Sequence, residues 1–350
     1  MTPLKKVVFA AVAGTIAAAL VLPSPAMAKT SARAAAKTEA AAKPKLRMLW
    51  HEEFDGKRGL PPTVQTSTRK YDKKYNWTTE INGNPYNHER QYYTDDVVQF
   101  NKSGSIAHYA IEVNGKGSLA INAMKPQKKT ATHRSTYPQD YCAYGVCEYV
   151  SGRMNTKGKL GFKYGQILAR VKVPDGGGTW PALWLLGADD STNNWPGCGE
   201  IDMLESATTA NFYGAIVGTL HSWPDDGIGT TARYYPEAPD LYAGYHTIGL
   251  RWVPNKIEFM VDGKVYQSIT KKEMTSEGNA VYVDSLGQTY NREWPFNKEF
   301  YMILNLAMGG FFGGDSSDDY KAPADSKGGA LLVDWIRVYS VNGIGKVIRH

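Results

Sequence analysis

Glu200, Asp202 and Glu205 place three carboxylates within six residues, spaced by Ile201, Met203 and Leu204. Carboxyl groups crowded together cannot all ionise, so one keeps its proton near neutral pH while another stays charged. A pair of that kind can protonate a leaving oxygen and attack the carbon it leaves, which is the requirement of a glycosidase. On a helix, Glu200 and Glu205 would stand roughly 140° apart and could not share a site. On a regular strand, Glu200 and Asp202 share one face, Ile201 and Met203 take the other, and Glu205 falls on the wrong side by one residue. A single β-bulge at Met203-Leu204 corrects the register, because two residues there oppose one on the neighbouring strand. The expectation is a bulged strand with three acids on its solvent face and Ile201, Met203 and Leu204 against a core.

The elements that must hold such a strand are legible as short alternating runs. Among them are Gly117–Asn122, Tyr164–Val173, His246–Trp252, Lys256–Val261 and Val333–Tyr339. Asp262-Gly263 between two such runs is a hairpin signal. No long stretch has helical period and no internal repeat is visible. Evenly spaced strands with turn signals predict an all-β, two-sheet antiparallel sandwich.

The N-terminal end reads differently. Residues 1–28 have the pattern of a secretory signal peptide: Lys5 and Lys6, an apolar run from Val7 to Leu22, and Ala26-Met27-Ala28. That run is short and broken by Gly14, and no second one follows, which argues against a membrane span. Residues 29–47 form an Ala/Lys-rich tail with little that could build a core. The formal net charge is +6. The leader contributes +2 and the tail +5, which leaves −1 for residues 48–350. The basic balance belongs to the two ends, so a nucleic-acid partner and a sulfated substrate are both disfavoured. The expected product is an exported monomer with one catalytic domain over 48–350. Export makes a disulfide between Cys142 and Cys147 plausible. Cys198 is left as a buried small residue, and no Cys/His spacing suggests zinc.

Gly199-Glu-Ile-Asp-Met-Leu-Glu205 resembles the signature of glycoside hydrolase family 16, in its bulged, laminarinase-like branch. The resemblance extends in order over residues 48–340. It includes Leu49–Gly56, Asn87–Tyr93, Ser151–Arg153, Trp180-Pro-Ala-Leu-Trp184, Trp294-Pro-Phe and Leu304–Gly310, which resemble later cleft strands, and Val333–Tyr339. It implies a concanavalin A-like jelly roll with an open cleft on its concave face. It implies Glu200 as nucleophile, Glu205 as acid/base and Asp202 as the residue that tunes Glu200. Asn87, Arg153 and His221 would line the cleft, Asn87 and Arg153 in contact with sugar. Sugars offer flat C–H faces that pack on indoles, which brings in Trp180, Trp184 and Trp195. No cofactor is expected for the chemistry. A structural calcium is expected at Glu53 and Asp334, where oxygen ligands would join the first and last strands.

The implied activity is a secreted, retaining endo-β-1,3-glucanase acting on laminarin or mixed β-1,3/1,4-glucan. The alternatives are agarose, a β-1,3-galactan or a carrageenan as substrate, or a glucan-binding module without catalysis. Two departures from the family pattern stand out. Gln166 and Leu168 replace an expected Arg and Glu on a strand taken to neighbour the site, and Gly309-Gly-Phe-Phe312 lacks the Trp usual after the Gly pair, leaving Phe as a stacking platform.

Overall fold

Alternation along the chain becomes two stacked, mainly antiparallel sheets in the computed structural model. It describes residues 43–350 apart from 67–69, 71, 83–86, 96, 101–105, 126–146, 208–213, 225–229, 235–240, 276–280, 284–287 and 314–328. The leader 1–28, the tail as far as 42, and Cys142 lie outside the described residues. Pro44–His350 form one compact unit.

The sheet that carries the acids runs, in spatial order, Thr230–Tyr234, Ile216–His221, Glu200–Glu205, Thr179–Gly187, Phe300–Met308, Arg153–Asn155, Trp77–Thr79 and Val64–Gln65. The opposite sheet runs Lys264–Thr270, Lys256–Val261, His246–Val253, Gly165–Lys172, Gly329–Val341, Leu119–Ala123 and Ile111–Val113. Leu46–Glu52 adds to this second sheet beside Gly329–Val341, so the first and last long strands lie together. The core between the sheets is filled by alternate side chains of both. Ile201, Met203 and Leu204 meet there with Leu183, Leu185, Ile167 and Phe259. The hairpin turn falls at Asp262-Gly263, both with left-handed φ (48° and 78°), the geometry of the tightest connection.

Two expectations are corrected. Gly165–Lys172 does not neighbour the acids: it pairs with His246–Val253 and Gly329–Val341 in the opposite sheet. Its Gln166 is buried and accepts a hydrogen bond from Arg251, 3.0 Å away. Alternation reveals which residues share a face, but not which of two sheets owns the strand. Trp294-Pro-Phe296 is no cleft strand either. Its rings pack edge to face at 5.0 Å inside the core, where apolar burial holds them. Glu53, one of the two expected calcium donors, receives both Nε and Nη2 of Arg337, at 3.0 and 2.9 Å, and that guanidinium holds its carboxyl below the ordinary range. Asp334, the other, is paired with Arg170. The two ion pairs tie the chain ends to the sheet.

Gly199 fixes the entry to the acid strand. Its φ is +77°, and a Cβ there would lie 2.7 Å from Pro295 and 3.1 Å from Phe300. Both the backbone angle and the space exclude a side chain. Gly199→Ala is expected to lower stability by about 1–3 kcal/mol, measured as a lower urea midpoint with an unchanged m-value. An unchanged midpoint would mean that the turn is not strained.

Candidate active site

The predicted bulge lies between Asp202 and Glu205. Against Thr179–Gly187, Asp202 pairs with Trp184 and Leu204 with Leu183, which leaves Met203 extra. Against Ile216–His221, Asp202 pairs with Thr219 and Glu205 with Val217, a gap of three residues against two. Met203 and Leu204 are both buried. Glu205 therefore returns to the face that carries Glu200 and Asp202.

Each acid meets a specific partner. Trp195 Nε1 donates to Glu200 at 3.1 Å and Trp180 Nε1 donates to Glu205 at 3.0 Å. His221 pairs with Glu200 in register; its Nε2 lies 3.4 Å from Asp202 and 3.9 Å from Glu200. Trp195 is half exposed and its ring centroid lies 5.8 Å from that of His221. The loop that carries Trp195 is tied down at its root: Asp189 accepts from Lys298, and Asp190 from Lys157 and Tyr301. Trp180 leans on Phe312 at 5.2 Å, so the Phe that replaces Trp after the Gly pair supports the indole that holds Glu205.

Burial pushes Glu205 up to about 8, the charge of Asp202 adds to this, and His221, Trp180 and Thr219 oppose it by favouring the anion. Burial and Asp202 also push Glu200 well above the ordinary carboxylate range, against His221 and the Trp195 N–H. The two glutamates, both raised and both facing the Asp202 charge, are therefore not independent. A carboxyl that keeps its proton near neutral pH is the condition for general-acid catalysis.

The other predicted residues divide. Trp184, paired with Asp202, is partly exposed and lies on the sheet face that carries the acids. Arg153 lies further along the same sheet, ion-paired with Glu80 at 2.9 Å and stacked over Trp184 at 5.0 Å. Asn87 is exposed and donates to Glu89 at 3.3 Å. Of the cysteines, Cys147 is disulfide-bonded and Cys198 is free and buried, its thiol pushed up to about 11 by burial. Glu200, Asp202 and His221 bring ligand atoms within 4.8 Å of one another and could hold a metal ion. An ion there would occupy the oxygen of Glu200 that the chemistry needs.

Asn305, Thr219 and Tyr93 were not singled out from the sequence. A signal for Asn305 exists: it is the one strongly polar residue inside the apolar strand Phe300–Met308.

The model for glycosyl hydrolases family 16 matches residues 107–299. The chain is 31% identical to glucan endo-1,3-beta-glucosidase A1 of Niallia circulans over 84% of its own length and 38% of that protein. It therefore spans well under half of that relative. It is 28% identical to a beta-glucanase of Rhodothermus marinus, over 85% of this chain and 86% of the relative. Among solved structures, the catalytic domain of an endo-1,3-beta-glucanase (laminarinase) from Thermotoga petrophila superposes with a TM-score of 0.61 at 30% identity, covering 85% of this chain and 99% of that one.

Two outcomes follow from the charge balance. Trp180→Phe removes a donor to ionised Glu205, so the alkaline limb of kcat/KM should move up by roughly half to one pH unit; a limb that stays put or moves down removes Trp180 from this role. The native state also keeps a proton on Glu205 that the unfolded chain releases above its ordinary 4.5, so this group costs stability as pH rises through about 8. Glu205→Gln should be more stable than the parent above pH 8, by at most a few kcal/mol, with the difference fading below pH 4.5. Denaturant curves at the two pH values decide it; equal stabilities at pH 9 would contradict the raised value.

Proposed function

The chain belongs to glycosyl hydrolase family 16, and on that premise we propose that it is an exported endo-β-1,3-glucanase that cuts laminarin-type glucans by double displacement, with mixed β-1,3/1,4-glucans as a second substrate. The carrying observation is the bulged strand, which sets Glu205 on the face of Glu200 with a separate indole donor on each. The relatives and the structural neighbour bear glucanase names. The leader pattern of residues 1–28 and the disulfide at Cys147 support export.

In the first step the Glu200 carboxylate attacks the anomeric carbon, the glycosidic C–O bond breaks, and the Glu205 proton passes to the leaving oxygen. Burial and the Asp202 charge raise Glu200, and His221 and the Trp195 N–H act against that by favouring its charged form, the form that attacks. Burial and Asp202 keep the proton on Glu205 until it is needed. Once Glu200 is esterified it no longer carries a charge beside Glu205, and ionised Glu205 becomes easier to hold. In the second step Glu205 takes a proton from water, the water oxygen attacks the anomeric carbon, and Glu200 leaves as a carboxylate. Every proton is carried by protein carboxyls and water. Trp184 and Trp195 offer apolar faces to sugar rings.

Two measurements test this reading. Glu200→Gln should lower turnover by several orders of magnitude while keeping the fold, since an amide cannot form the glycosyl ester; near-normal turnover would remove Glu200 from the mechanism. Release of reducing ends from laminarin, lichenan, agarose and β-1,3-galactan should be fastest on laminarin. Preference for agarose or galactan would overturn the substrate while leaving the catalytic roles standing.

A further inference from the structure

A line of hydrogen bonds leaves the cleft wall and returns to its rim. Trp184 Nε1 donates to Asn305 Oδ1 at 2.7 Å. Asn305 Nδ2 donates to the Tyr93 hydroxyl at 3.2 Å, and that hydroxyl donates to Glu89 Oε2 at 3.2 Å. Glu89 also accepts from Gln91 at 2.6 Å and from Asn87 at 3.3 Å. Asn305, Tyr93 and Gln91 are all buried.

The direction of the line is fixed chemically. An indole N–H can only donate, so the amide oxygen of Asn305 must face Trp184 and its NH₂ must face Tyr93. With its oxygen accepting from that amide, Tyr93 turns its proton to Glu89, a carboxylate that only accepts when ionised. Each group therefore fixes the orientation of the next, and bonds in such a chain polarise one another. The backbone ties the same parts together: the Asn87 carbonyl accepts from Phe311 N at 3.0 Å, and Met308 N donates to the Gln91 side chain at 2.7 Å. A Cβ at Gly310 would lie 2.5 Å from the Asn87 oxygen, so only glycine permits this docking.

We infer that Asn305, Tyr93 and Glu89 are positioning residues that lock Trp184 and Asn87 into one pre-formed sugar-binding wall. The inference rests on the glucanase reading for the identity of the sugar, but not for the existence of the lock. The buried line orders both sugar-facing groups before substrate arrives, and the ordering entropy is then not charged to binding.

The test uses the full chain carrying Glu200→Gln, so that laminarihexaose binds without being cut. Adding Tyr93→Phe deletes one hydroxyl and leaves Asn305 and Glu89 without their shared partner. The dissociation constant is expected to rise about 5–10-fold, and the Trp184 indole N–H, assigned by its loss in Trp184→Phe, to exchange with solvent at least about tenfold faster. Glu89→Gln keeps one acceptor oxygen for Tyr93 and Gln91 but turns an NH₂ toward Asn87 Nδ2, so Trp184 exchange should stay within about twofold of the parent while affinity falls; Glu89→Leu should match Tyr93→Phe in both readouts. A merely structural role predicts lower melting temperatures with affinity and Trp184 exchange unchanged, and that result would overturn the inference. If the Glu200→Gln parent binds no laminarihexaose at all, the glucan reading has failed; Trp184 exchange in Tyr93→Phe then decides the lock by itself.

Discussion

Charge repulsion among three closely set carboxylates, Asp202 buried and the two glutamates partly so, sets the terms for the rest of the molecule. Glu200, Asp202 and Glu205 reach a common face only because Met203 is accommodated as an extra residue on the strand. Once there, burial and mutual repulsion hold a proton on Glu205 up to about pH 8. The surroundings are arranged to make that tension usable. Trp195 and His221 favour the anion at Glu200, and Trp180 limits how far Glu205 rises. Stability is given up in this strand and recovered elsewhere, in a core between two sheets that seats Ile201, Met203 and Leu204.

The scaffold serves that strand with few moving parts. Strands Thr179–Gly187 and Ile216–His221 flank it and deliver Trp180, Trp184, Thr219 and His221 by register alone. Sites built on strands hold geometry better than sites on loops. Trp195 comes instead on a loop, in a segment anchored by two lysines and Tyr301 at Asp189 and Asp190. On the far side of Trp184, the line through Asn305, Tyr93 and Glu89 extends the same order to the rim.

What was legible in the sequence was what depends on neighbours along the chain. Carboxylate spacing and strand period were enough to require the bulge, and Asp262-Gly263 was enough to place a hairpin. Local signals lose their power when two sheets share one alternation pattern, and Gly165–Lys172 was assigned to the wrong sheet for that reason. They fail again where a residue type has two uses: Trp294, expected on a cleft strand, is core. The lock was least visible, because Asn305 and Tyr93 lie 212 positions apart. A lone Asn in an apolar strand was the only trace it left.

The central claim is that two glutamates on one face act in turn on the same anomeric carbon. Its most direct test is the anomeric configuration of the first-formed product, followed by proton NMR during the opening minutes of laminarin hydrolysis. Double displacement predicts that the new reducing ends appear as the β-anomer and only later mutarotate to the equilibrium mixture. Initial appearance of the α-anomer would mean a single displacement by water, and would contradict the roles given to Glu200 and Glu205.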